Sequence, residues 1–163
     1  MTPRKLCVLA WLFCCSALLP CRSVDAAGRA EALIVVAAPS FPSQDISYAA
    51  LKSAFRGQRV EIGGKAVLPI NHPLLSPARV AFDRIILGLE PNDVDRFWVD
   101  MRIRDQARPP TAASSPEIAL RVVAALAGSL TYTTQSALTA KPVLKVLTVD
   151  GKAAGQSGYQ LQP

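Results

Sequence analysis

The chain has one histidine, His72, held in Asn71-His72-Pro73, and four cysteines, Cys7, Cys14, Cys15 and Cys21, all in its first 21 residues. A single histidine excludes a two-histidine metal site. Beyond Cys21 no thiol is left to act as nucleophile, metal ligand or disulfide partner. A Ser–His–Asp relay would need His72 beside a serine such as Ser76 and an acid such as Asp83. Their order and spacing match no nucleophile motif, and no Gly-x-Ser-x-Gly elbow is present. Gly63-Gly64 lacks the Lys-Ser/Thr that a phosphate loop requires. Asp93, Asp95 and Asp100 read as helix-start and surface carboxylates, and His72 reads as a loop histidine near the surface. The sequence predicts no catalytic residue, no metal site and no cofactor.

Anion binding is the chemistry these residues offer. A helix start carries free N–H groups and about half a positive charge, which suits an oxyanion without any catalytic group. In sheets with helices packed on them, such starts gather beyond the C-terminal ends of strands. Two loops end a strand and open a helix with hydroxyls at hand: Pro39 to Ser47, which includes Ser40, and Asn71 to Ser76. Arg79, in the first turn after Ser76, adds a guanidinium able to form paired hydrogen bonds to a phosphate or carboxylate. The plainer alternative makes Ser47, Ser76 and Ser115 ordinary caps, each stabilising its helix by about 1 kcal/mol.

The elements that must position these residues follow from periodicity. Ala32–Ala38 is a continuous apolar run ending at Pro39, the pattern of a buried central strand. Ser47 opens a helix with Tyr48, Leu51 and Phe55 on one face and Gly57 as its stop. Val60–Ile62 and Lys65–Ile70 flank Gly63-Gly64 as a hairpin. Ser76-Pro77 and Ser115-Pro116 each pair a capping hydroxyl with proline at the first helical position. The first of these helices runs to Gly88. The second, apolar on most sides, is expected to be buried and to stop at Gly128. Between them Pro91 opens an amphipathic helix with Val94, Phe97, Trp98 and Met101 on one face. Leu130–Thr133 and Val143–Val149 read as the last strands, Asp150-Gly151 as a turn, and the tail after Ala153 as loose. Strands alternating with helices predict an α/β fold, one mixed central sheet with helices packed on it.

Arg4-Lys5, the 14-residue apolar run Leu6–Leu19 and Val24-Asp25-Ala26 have the three parts of a secretion signal. The run is shorter than the roughly 20 residues that span a bilayer. Residues 1–26 are therefore expected to be removed near Ala26 in favour of a periplasmic or secreted product; the alternative is retention as an anchor, or lipid attachment at Cys21. Residues 27–163 are expected to form a single domain with its ordered core at about 32–151. Loss of Arg4, Lys5, Arg22 and Asp25 lowers the net charge from +6 to +4. That mild excess favours anionic partners, but without Lys/Arg runs it does not mark a nucleic-acid binder.

Taken in order, these segments resemble one lobe of the phosphate-type periplasmic substrate-binding proteins, the solute receptors of ABC transporters. The stretch Leu51-Lys-Ser-Ala-Phe55-Arg-Gly57 is similar to the family's L-x-x-I-F-x-G. Val67-Leu-Pro69-Ile70 is similar to its I-x-P-V strand, and Ser76-Pro-Ala-Arg79-Val-Ala-Phe82 with Ile86-Leu87-Gly88 to S-x-x-R-x-x-F…V-L-G. Gly128-Ser-Leu-Thr-Tyr132 and Val143-Leu-Lys-Val-Leu147 resemble G-x-I-G-Y and the V-K-V-L strand. The match runs from residue 33 to 151. Leu74-Leu75-Ser76-Pro77 stands where full-length receptors carry Gly-Ser-Gly-Thr, so only the serine is kept. The resemblance implies a binding-protein lobe, non-enzymatic and periplasmic, with an oxyanion such as phosphate held through Ser40, Ser76 and Arg79, and an ABC transporter as partner. An envelope interaction module that keeps the lobe without a ligand is the alternative, and pairing of two copies into a homodimer stays open.

Overall fold

The computed structural model describes residues 31–104, 107–138 and 143–163. The secretion signal expected at 1–26 lies outside the described residues. Among those described, no helix is long and apolar enough to cross a membrane.

The apolar run forms β1 (Leu33–Ala37), buried along its whole length. It pairs antiparallel on one side with β7 (Ser129–Thr134) and on the other with β8 (Lys145–Val149). Two-residue strands close the edges: β2 (Asp45–Ile46) beside β8 and β6 (Thr111–Ala112) beside β5 (Leu68–Asn71). The resulting mixed sheet has the order β2-β8-β1-β7-β5-β6. The expected strand Lys65–Ile70 is divided. Lys65–Ala66 (β4) stays in a small hairpin with Glu61–Ile62 (β3), turned by Gly63 and Gly64 at φ +56° and +72°. After Val67 the chain changes partner, and β5 runs parallel to β7.

Side chains alternate across the sheet. Leu33, Val35, Leu130 and Tyr132 face the larger core, shared with α1 (Tyr48–Phe55) and α2 (Pro77–Ile86) through Leu51, Phe55, Phe82 and Ile86. Ile34 and Val36 face the other way, against Leu120 of α4 (Pro116–Ala125), while Ala119 and Val123 pack on Ile70. The expectation of a wholly buried α4 is corrected. Only Ala119, Leu120 and Val123 are buried, and Ile118 is exposed, because α4 lies with one face on the sheet and none of the described elements covers the other. α3 (Pro91–Ile103) uses Val94 and Trp98 as its buried anchors.

The tail is also corrected. Leu161 is fully buried, Tyr159 nearly so, and Leu33 N–H donates to the Leu161 carbonyl at 2.9 Å. Tyr159 Oη donates to the Leu33 carbonyl at 2.8 Å, and burial lifts its phenol to about 12. Two apolar side chains at the end of a polar stretch are enough to seat it against β1. Leu161→Ala should therefore lower unfolding stability by about 2–5 kcal/mol, read from urea unfolding. A loose tail would leave the midpoint unchanged.

Candidate functional site

Strand direction decides which loops can meet. β5 and β6 are parallel neighbours, so the turns that follow them leave the sheet at one rim, and Ala113 N–H donates to the Asn71 carbonyl there at 2.9 Å. From that rim α2 runs onto one face and α4 onto the other. Two helix starts thus flank the end of β5, with His72 between them.

Ser40 is not part of this rim. β1 is antiparallel to β7, while β7 is parallel to β5, so β1 ends where β5 begins. The turn at Ser40 is exposed at the opposite rim, beside the start of β7, where Ala38 N–H meets the Ser129 carbonyl at 3.0 Å. The structure therefore does not bring Ser40 to Ser76. Ser47 does return to the rim of Ser76, because β2 is parallel to β8. It arrives four strands away from β5, roughly 19 Å at the usual strand spacing.

The helix starts differ in their caps. Ser47 Oγ accepts from Ala50 N–H at 3.1 Å and Ser115 Oγ from Ile118 N–H at 3.2 Å. Tyr48 N–H is met by Asp150. Ser76 has nearly the same backbone angles as Ser47, φ −68° and ψ 141°, yet it makes no side-chain cap bond. Its Oγ is buried without a partner, and Pro77 contributes no N–H to the first turn. The plain reading of three capping serines holds for Ser47 and Ser115 only.

Arg79 points inward. It is 4% exposed. Its Nε donates to Asp83 Oδ2 at 2.5 Å and its Nη1 to the His72 carbonyl at 3.2 Å. The Asn71 side-chain oxygen accepts from Nη1 and Nη2 at 2.9 and 3.3 Å, while the Asn71 amide donates to Tyr132 Oη at 3.1 Å. A guanidinium one turn from Asp83 on the same helix, both beneath the surface, is a buried ion pair. Burial raises the Asp83 carboxyl above its ordinary value, against the pull of Arg79.

His72 is 1% exposed, which corrects the expectation of a surface loop residue. Its ring stacks on Tyr132 at 4.8 Å, and Tyr132 stacks on Phe82 at 3.7 Å from the other side. Neither imidazole nitrogen has a hydrogen-bond partner. Desolvation, and then the charge of Arg79, push its pKa from 6.5 down to about 4, while Glu117 pulls the other way. Apolar sequence neighbours gave no hint of this, because the stacking partner lies on a distant strand. Among the described residues no group of three His, Cys, Asp or Glu side chains is gathered to hold a metal ion.

The fold has counterparts among solved structures. It is similar to an ABC-type phosphate transport receptor from Vibrio cholerae, with TM-score 0.62 and 13% identity over 80% of this chain and 53% of that one. PstS from Borrelia burgdorferi gives TM-score 0.58 and 15% identity, over 80% of this chain and 54% of that one. The architecture is that of a binding-protein lobe. A phosphate ABC transporter substrate-binding protein from Clostridium perfringens, with bound phosphate, gives TM-score 0.56 and 14% identity, over 76% of this chain and 47% of that one. The chain thus spans about half the length of the structures it matches. No family model matches the sequence, and no curated protein does.

Two outcomes follow. Removing one member of the buried pair, as in Asp83→Ala, should cost about 3–5 kcal/mol, and an apolar double replacement such as Arg79→Met with Asp83→Leu should recover much of it; urea unfolding of the three variants measures both. His72 takes up a proton more readily unfolded than folded. Its contribution to stability is therefore complete above pH 6.5 and falls as the pH drops toward 4, by up to about 1.4 kcal/mol per pH unit. His72→Phe should flatten that slope while keeping the stack on Tyr132; an unchanged slope would contradict the assignment.

Proposed function

We propose that the chain is a non-enzymatic binding module, working outside the cytoplasm after loss of residues 1–26, that takes a small oxyanion such as phosphate at the start of α2. One observation carries the reading: Ser76 lies in capping geometry but leaves its hydroxyl unpartnered and α2 without a side-chain cap. The backbone N–H groups of Ala78 and Arg79 with the Ser76 hydroxyl form the donor set, and the second helix start at Ser115 adds its dipole from the opposite face. Likeness to a lobe of phosphate receptors supports the same ligand class and an ABC transporter as its context. Arg79 serves the site as a buried brace for the turn, through the His72 carbonyl and Asn71, and Ser40 takes no part.

Phosphate and sulfate at tens of millimolar should raise the melting temperature above that in chloride of equal ionic strength, since a ligand that binds only the folded state stabilises it by mass action. Ser76→Ala should lose the anion-specific rise. Ser115→Ala, which removes a working cap, should lower the melting temperature yet keep the rise. Equal melting in all three salts would dismiss the ligand.

Leu75, 77% exposed beside Ser76, favours a second reading. In it the rim is a protein-contact surface of an envelope module, or of a homodimer, and holds no anion. Sedimentation over a concentration series, comparing the wild type with Leu75→Asp, separates the two. Self-association lost in the variant, with no response to anions, would favour contact.

A further inference from the structure

Among the described residues, no side-chain cation is shown acting directly on the α2 start without a countercharge; Arg121 of α4 lies beside Glu117. Arg79 is matched by Asp83 at 2.5 Å, and the other charged group acting on the rim from α4, Glu117, is negative. An anion arriving at α2 would meet partial charges from helix starts and one acquirable full charge, a proton on His72. That ring has the placement for the role. It sits in the turn between β5 and α2, is 1% exposed, stacks on Tyr132 of β7, and has both nitrogens free of hydrogen bonds. The titratable groups acting on it are Arg79 from α2, Glu117 from α4 and Tyr132 from β7, with Asp83 beyond it on Arg79. Burial holds Tyr132 protonated well above neutral pH. Within this set His72 is the group able to gain a positive charge as the pH falls toward 4.

We propose that oxyanion binding at the α2 start is coupled to protonation of His72, so that the rim takes up an anion and a proton together. The inference rests on the anion reading of this rim. It adds a direction: capture strengthens in acid and release is favoured in alkali. The physical cause is mutual. A buried imidazolium is disfavoured by desolvation, and a nearby anion offsets that cost; the imidazolium in turn supplies the charge that the Arg79–Asp83 pair withholds. Linkage makes the two effects equal in size.

Because the chain has one histidine, its imidazole resonance can be followed without assignment ambiguity. Sulfate is the probe, since it stays a dianion across the range and adds no titration of its own. In saturating sulfate the His72 titration midpoint should move up by at least about one pH unit. Sulfate affinity should rise as the pH falls through the window between the free midpoint near 4 and the raised bound one, by about tenfold in total for each pH unit that the midpoint moves. His72→Gln should bind sulfate with no such slope. Amide shifts at Ala78 and Arg79 in the wild type report the anion independently. Shifts there with an unmoved imidazole would overturn the coupling and keep the site. No amide shift at pH 5 or pH 7 would remove both.

Discussion

A guanidinium beneath the surface has to be neutralised where it stands, and the rim of this domain is arranged around that requirement. Leaving Arg79 without a partner would cost several kcal/mol in desolvation. Asp83, one helical turn away, supplies the countercharge, and Asn71 and the His72 carbonyl take the remaining donors. Those contacts tie the end of β5 to the first turn of α2. They also fix the side of the turn on which His72 lies, and so place its ring on Tyr132. The charge holds the loop instead of reaching solvent.

The second constraint is strand direction. Parallel β5 and β6 send their following helices from a common rim, whereas antiparallel β1 delivers its loop to the other. A pair of loops that look equivalent in sequence, each a strand end followed by serine and proline, is thereby divided between two ends of the molecule. The convergence that does occur joins α2 to α4, whose Ser76-Pro77 and Ser115-Pro116 starts are chemical twins with different hydrogen bonding. Ser115 satisfies its own helix and Ser76 does not. A helix start that satisfies itself has little left for a ligand, so the chemistry of the rim falls to α2.

Apart from Trp98 Nε1 on α3, the buried polar side-chain atoms left without partners among the described residues belong to β5–α2 and to β7. His72 has two unpartnered ring nitrogens and Ser76 an unpartnered hydroxyl, and Thr131 Oγ1 is alone on the α4 side of β7. An unmet buried donor or acceptor costs about 1–3 kcal/mol. Such groups are retained at functional sites more readily than within a packed core. The aromatic column of Phe82, Tyr132 and His72, with Phe55 edge-on at 5.6 Å from Tyr132, supplies the packing against which they stand.

Local chemistry was legible in the sequence. The run at Leu33–Ala37 had to be a buried strand, Ser47 and Ser115 had to start helices, and Gly63-Gly64 had to turn a hairpin, because each outcome depends on neighbours a few residues apart. The resemblance of ordered segments likewise identified a binding-protein lobe. Four features needed the tertiary structure: the split of Lys65–Ile70 between two sheets, the seating of Leu161 against β1, the inward turn of Arg79, and the burial of His72. The tail, the imidazole and the split strand depend on partners brought close by the sheet, such as Leu33 or Tyr132, and sequence spacing carries no record of strand direction. Arg79 turns inward because the face of α2 that carries it and Asp83 packs on the sheet. The sequence alone determined that serines and an arginine stand where a helix opens after a strand; only the folded sheet decided that Ser76 lies at the rim shared with α4 while Ser40 faces away from it.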